Sequence, residues 1–222
     1  MPGGQTMKCT ILGVTGSGKS TLAYEIITEL DRVLILDSMG DYEEIPGAII
    51  VEGGDNCINK LLELQHQKRW RLVCLTLTEQ EGLDILAVGF DVPDITIVVD
   101  ESSLYCNPHY LPDEIARLVR YSRKRNIDLI FLARRPSEIH RELTAQSNLL
   151  VTFIQHEPID IRYLTARMGK EKAEKAMHLG KYEILVHGDY DEIPLAILKR
   201  MKEGDSVKAP PTKGLTESEA AD

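Results

Sequence analysis

The stretch Gly13-Val14-Thr15-Gly16-Ser17-Gly18-Lys19-Ser20 decides how the rest of the chain is read. It matches the spacing G-x-x-x-x-G-K-[ST] at every fixed position, and its flanks are the ones that spacing needs. An apolar run, Lys8–Val14, enters it as a strand. Leu22, Ala23, Ile26, Ile27 and Leu30 leave it as the single stripe of an amphipathic helix. Glycines let a backbone wrap closely around an anion and aim its N–H groups inward, at the positive end of the helix that follows. Lys19 is placed to reach the β- and γ-phosphates, and the Ser20 hydroxyl is placed to ligate Mg²⁺. The candidate nucleotide-binding residues are Gly13, Thr15, Gly16, Ser17, Gly18, Lys19, Ser20 and Thr21.

Outward from this loop, short apolar runs alternate with amphipathic stretches, the pattern of βα units around a parallel sheet. Strands are expected at Lys8–Val14, Val33–Asp37, Ala48–Val51, Leu72–Leu77, Ile95–Asp100, Ile127–Ala133 and Leu149–Phe153. A last pair, Tyr182–His187 and Ile193–Leu198, is expected as a terminal hairpin around Gly-Asp-Tyr-Asp-Glu. Pro112 opens a helix with Asp113 and Glu114 in its first turn and Arg123, Lys124 and Arg125 in its last, which suits the helix dipole. Pro158 opens another, with Gly169 as its stop. The expected domain spans 1–200, and the polar, Pro/Gly-containing stretch 201–222 is expected to be a disordered tail.

Composition narrows the class. The 222 residues are 43% hydrophobic and 27% charged, ordinary for one folded α/β domain. No apolar run has the length of a membrane span and no secretion signal opens the chain, so a cytoplasmic protein without stable membrane insertion is expected. Cys9, Cys57, Cys74 and Cys106 form no CxxC pair and read as reduced core residues. The net charge of −9 argues against a protein that coats nucleic acid by global attraction. Yet the stretch Arg117–Arg141 holds eight basic and two acidic residues, a local +6.

The second chemical element is Ile95-Thr-Ile-Val-Val-Asp100-Glu101. A nearly continuous apolar run is a strand buried on both faces, and an acid at its C-terminal end lies on the edge where such sheets bind ligands. Asp100 is the candidate Walker B acid, holding Mg²⁺ together with Ser20, and Glu101 is the candidate general base for an attacking water. The adjacent acid distinguishes hydrolases from nucleotide kinases, which need no water-activating carboxylate there. An N/T-K-x-D guanine-reading motif is missing, and the string Gly3-Gly4-Gln5 lies on the wrong side of the loop for a transporter signature.

The third element is Asp128-Leu-Ile-Phe-Leu-Ala133-Arg134-Arg135-Pro136-Ser137. Here the chain resembles the FtsK–HerA superfamily of DNA-pumping motor ATPases, whose corresponding strand ends roughly in Ala-Thr-Gln-Arg-Pro-Ser. Asp37-Ser-Met-Gly40-Asp41-Tyr42 resembles the D-x-x-G-E-Y segment of HerA-like proteins, and Asn148–Asp160 resembles their following strand and helix. The similarity covers about residues 7–195. It implies a RecA-like (ASCE) P-loop fold, a mostly parallel sheet between helices, with the acid-bearing strand separated from the P-loop strand. It also implies ATP as the nucleotide. The superfamily's sensor glutamine falls on Arg134, a residue of different charge and geometry, so a catalytic role for Arg134 stands beside a solvated Arg134–Arg135 pair.

The same resemblance implies a homo-oligomeric ring, usually a hexamer, with an arginine supplied in trans. Arg117, Arg120, Arg123 and Arg125 are the candidates; Arg117 and Arg120 share one face with Lys124, and Arg123 and Arg125 lie nearby. A basic face that merely suits the helix C-terminus is the plainer alternative. The stripped-down build is similar to viral genome-packaging ATPases, so the expected function is translocation of double-stranded DNA, with a capsid or membrane vertex protein as a further partner. A small-molecule P-loop kinase and a nucleotide-dependent phage assembly protein are the alternatives. The basic cluster Gln67–Arg71, with Trp70, reads either as a nucleic-acid grip or as a surface turn ahead of a strand.

Overall fold

The computed structural model describes residues 6–76, 78–188 and 194–199. The expected tail, 201–222, lies outside them. The strands are β1 (Lys8–Leu12), β2 (Arg32–Asp37), β3 (Ala48–Glu52), β4 (Trp70–Leu75), β5 (Thr96–Val99), β6 (Asp128–Ala133), β7 (Leu149–Thr152) and β8 (Leu185–Gly188). The helices are α1 (Lys19–Thr28), α2 (Gly54–Leu64), α3 (Glu79–Gly89), α4 (Asp113–Tyr121), α5 (Arg141–Gln146), α6 (Pro158–Met168), α7 (Lys170–Ala176) and α8 (Leu195–Leu198). All eight strands join one sheet in the order β3-β4-β2-β5-β6-β1-β7-β8. Every neighbouring pair is parallel except β7–β8.

The sheet is dry on both faces because its strands are apolar at consecutive positions. Along β2, Val33 and Ile35 pack with Leu22, Ile26 and Ile27 of α1 and with Ile197 of α8. Leu34 and Leu36 point the other way, to a cluster shared with Leu61 of α2, Leu86 of α3, Leu118 of α4 and Leu164 of α6. The result is three layers, with α1 and α8 on one face and the larger group of helices on the other. β6 lies between β5 and β1, so the acid-bearing strand is separated from the P-loop strand as expected. The C-terminal ends of all the parallel strands then converge on one edge.

One expectation needs correction. The segment expected as the second arm of a terminal hairpin is helical over Leu195–Leu198, and β8 pairs with β7 instead. Pro194 favours this outcome: its fixed φ suits a helix start, and its carbonyl accepts from Ile197 N and Leu198 N at 2.9 and 3.1 Å. A short apolar run carries no periodicity strong enough to separate strand from helix.

The basic cluster around Trp70 is structural. Trp70 is only 4% exposed. The Arg71 guanidinium donates to the carbonyls of Ile27, Thr28 and Leu30 at 3.1, 2.9 and 2.8 Å, and to that of Pro46 at 3.2 Å. It thereby satisfies the orphan carbonyls at the C-terminal end of α1. Replacing Arg71 with Met is expected to lower unfolding stability by about 1–3 kcal/mol in a urea melt. Nucleotide affinity, set at the opposite end of α1, should stay as in the wild type.

Candidate nucleotide site

β1 ends under the loop 13–18, and Gly13 N donates to Ala133 O at 3.1 Å, tying the loop to the end of β6. Gly18 caps α1 with φ 105°, a left-handed conformation open mainly to glycine. It is also pressed by a neighbour, since a Cβ there would lie 2.5 Å from the Tyr182 ring. Gly13 is constrained by space instead, its missing Cβ facing Phe153 at 3.0 Å. The loop borders a cavity of about 530 Å³, lined among others by Thr15, Gly16, Gly18, Lys19, Ser20 and Thr21. Gly13 and Ser17 shape the loop from beneath, and the Ser17 hydroxyl is buried without a partner.

The expected acids stand at the same edge. Asp100 follows β5, is 1% exposed and accepts from Glu101 N at 2.9 Å. Burial pushes its carboxyl up to about 6, against the pull of the Lys19 ammonium and the Glu101 N–H. Glu101 takes a left-handed turn, φ 45° and ψ 55°, which swings its side chain away from the strand direction into the cavity wall. There its carboxylate lies 3.6 Å from Lys19 Nζ and 3.6 Å from Arg134 Nε, on different oxygens. Arg134, at the end of β6, also stands 3.8 Å from Glu138. It lines the cavity rather than solvating as a free loop residue. Its neighbour Arg135 turns the other way and binds the fully buried Asp160 at 2.7 Å, so the two arginines are not a pair.

The candidate trans arginines are not brought to this cavity. Arg117 and Arg125 share Asp91 at 3.5 and 3.1 Å and both cover the Phe90 ring. Arg120 chelates Glu142 at 2.7 and 2.9 Å. Arg123 faces Lys8, whose pKa is lowered first by burial and then by this arginine. Because α4 runs antiparallel to the strands, Arg123 and Arg125 lie at the sheet edge opposite the loop.

Sequence reading missed Asp41 as a site residue. Its carboxylate accepts from Ser20 Oγ at 2.8 Å. The loop that delivers it is folded by buried Asp37, which accepts backbone N–H groups from Met39, Gly40, Asp41 and Tyr42 at 3.1, 2.8, 3.2 and 2.9 Å. The signal was present in Asp37-x-x-Gly40-Asp41-Tyr42, but only as a resemblance. Tyr42 is fully buried, and its hydroxyl faces Ser20 and the acids without closing a hydrogen bond. Ser20, Asp41 and Asp100 offer hard oxygen donors only. That set fits Mg²⁺.

Fold and loop together are those of P-loop NTPases. The family model for the central domain of helicase HerA matches residues 5–103. Among solved structures, the genome packaging NTPase B204 of Sulfolobus turreted icosahedral virus 2, in complex with AMPPCP, aligns with a TM-score of 0.67 at 16% identity, covering 82% of this chain and 92% of that one. B204 from Sulfolobus turreted icosahedral virus, described as a DNA-packaging ATPase, gives 0.63 at 19% identity over 81% and 91%. VirB4 of Thermoanaerobacter pseudethanolicus gives 0.58 at 12% identity over 86% and 91%. No curated protein matches by sequence. The resemblance to FtsK–HerA P-loop ATPases stands, and the fold is theirs. Among the described residues no helix is long and apolar enough to cross a membrane.

Gly18→Ala is expected to weaken nucleotide binding by about one to two orders of magnitude, because the alanine must strain at φ 105° and displace Tyr182. Equilibrium binding checks this, with circular dichroism to show an intact fold.

Proposed function

We propose that this protein is an ATP-hydrolysing motor that translocates double-stranded DNA as a homo-oligomeric ring, a genome-packaging ATPase like B204. One observation carries the hydrolase reading: Glu101 is held within 3.6 Å of the P-loop lysine and of Arg134, at the mouth of the phosphate cavity. A carboxylate kept beside the terminal-phosphate position is placed to activate a water for hydrolysis. Similarity to the packaging NTPases supports the motor reading.

In this mechanism the backbone N–H groups of residues 13–20 bind the phosphates and Lys19 neutralises the β- and γ-oxygens. Ser20 and Asp100 would hold Mg²⁺, and Asp41 keeps the Ser20 hydroxyl oriented by accepting its hydrogen bond. The ion itself supplies charge neutralisation across the phosphate oxygens. Glu101 takes the proton of the attacking water. Arg134 exchanges Glu101 for the γ-phosphate, the part played in the superfamily by a glutamine. Subunits close into a ring, expected to be hexameric, in the cytoplasm of a host cell or on a virion, docked on a capsid or membrane vertex protein. Residues 1–200 form the motor domain and 201–222 a polar tail. An arginine from the basic stretch Arg117–Arg141 completes a neighbour's site or faces DNA. Arg123 is the better placed of the four candidates, because Arg117, Arg120 and Arg125 are engaged within their own chain.

Steady-state ATPase with and without double-stranded DNA tests the proposal. Stimulation by DNA that vanishes in both Lys19→Ala and Glu101→Gln is expected, with the glutamine variant slower by about 10²–10⁴-fold. Turnover indifferent to DNA, at concentrations where the ring forms, overturns the motor reading. Arg134→Ala is expected to lower kcat by about 10²-fold with nucleotide affinity nearly unchanged, and a single-turnover assay separates the two effects.

A further inference from the structure

The sheet order gives the cavity two ends. β5 and β6 lie on one side of β1, and β7 and β8 lie on the other. Glu101 follows β5 and Arg134 follows β6, so both acting groups stand on the same side of the P-loop. A triphosphate whose terminal phosphate meets Lys19, Glu101 and Arg134 must therefore run its nucleoside towards the β7–β8 side. The residue found there is Tyr182, just ahead of β8, which lines the cavity and is 51% exposed.

Three features set Tyr182 apart from an ordinary surface tyrosine. Its ring edge overlies the backbone of Gly18, where a Cβ would come within 2.5 Å of Cδ1, so the ring is fixed against the loop that would hold the phosphates. Its backbone is at φ 66°, a left-handed conformation that is strained for an aromatic residue and persists only where the surroundings impose it. The Lys181 ammonium lies 4.9 Å from the ring centroid, a cation over the π system, and the ring's exposure leaves further π surface uncovered.

We propose that Tyr182 is the stacking platform for the purine base of the nucleotide. This rests on the P-loop reading and adds the part of the substrate that the loop does not touch. A stacked ring reads the face of a base and not its edge, so it holds adenine and guanine alike. That agrees with a chain that carries no guanine-reading motif. Tyr182 binds and does no chemistry.

The test is calorimetric titration, in Mg²⁺, of ATP, GTP and inorganic tripolyphosphate into the full chain and its variants. Tyr182→Ala is expected to weaken ATP and GTP by about tenfold each while tripolyphosphate binds as in the wild type. Tyr182→Phe keeps all three affinities. Tyr182→Gly, which suits the left-handed backbone and so guards against misfolding, should reproduce the alanine result. Unchanged ATP affinity in Tyr182→Ala and Tyr182→Gly overturns the proposal. So does an equal loss of ATP and tripolyphosphate, which would make Tyr182 a brace for the loop. A wild type that binds none of the three ligands removes the P-loop reading and this proposal together.

Discussion

Glu101 sits between two cations, each 3.6 Å from a separate carboxylate oxygen. Lys19 opens α1 directly after the loop that follows β1, and Arg134 stands at the end of β6, so this small cluster joins three neighbouring strands at one edge of the sheet. Both cations have the charge a terminal phosphate requires, and in the proposed mechanism each gains an alternative partner once nucleotide arrives. In that mechanism Glu101, as general base, is restrained without substrate and released with it. Lys19 is only 7% exposed, so in this poorly solvated wall its charge is balanced by Glu101 together with nearby Asp100.

The scaffold supplies that geometry with few residues. Buried Asp37 gathers four backbone N–H groups and so fixes the loop that carries Asp41 to Ser20 and Tyr42 beneath the acids. Buried Asp160 does the same on the other flank. It holds Arg135 at 2.7 Å and accepts from Ser137 N at 3.2 Å, so the segment after β6 is locked to the first turn of α6. With Arg135 held away, Arg134 is left to face the cavity. The two segments read as resembling HerA-like proteins are therefore braces for the site more than parts of its chemistry.

Much of this was legible in the sequence where the governing constraint is local. The loop 13–20 needs glycine at close approaches, and strands such as Thr96–Val99 are buried on both faces, so both leave a plain signature. The separation of the acid strand from the loop strand followed from family likeness and was found in the sheet order. The end of the domain was less legible, since Leu195–Leu198 is apolar at every position and either period fits. Long-range contacts were also hidden. Nothing near Tyr182 in sequence announces that it meets Gly18, and nothing near Ser20 announces Asp41. The basic residues of α4 were legible as a face, but their contacts with Asp91 and Glu142 depend on how α4 packs beside α3 and α5.

The uneven charge then has a physical reading. Asp91, Glu142 and Asp160 absorb several of the basic side chains between Arg117 and Arg141, and the cavity uses Arg134. What remains for a partner is a smaller basic surface than composition implies. The most direct measurement is a structure of the protein with a non-hydrolysable ATP analogue and Mg²⁺. The γ-phosphate is expected between Lys19 and Arg134, with Glu101 detached from both and facing a water in line with that phosphate. Lys19 still paired with Glu101, with the analogue bound elsewhere, would contradict the mechanism.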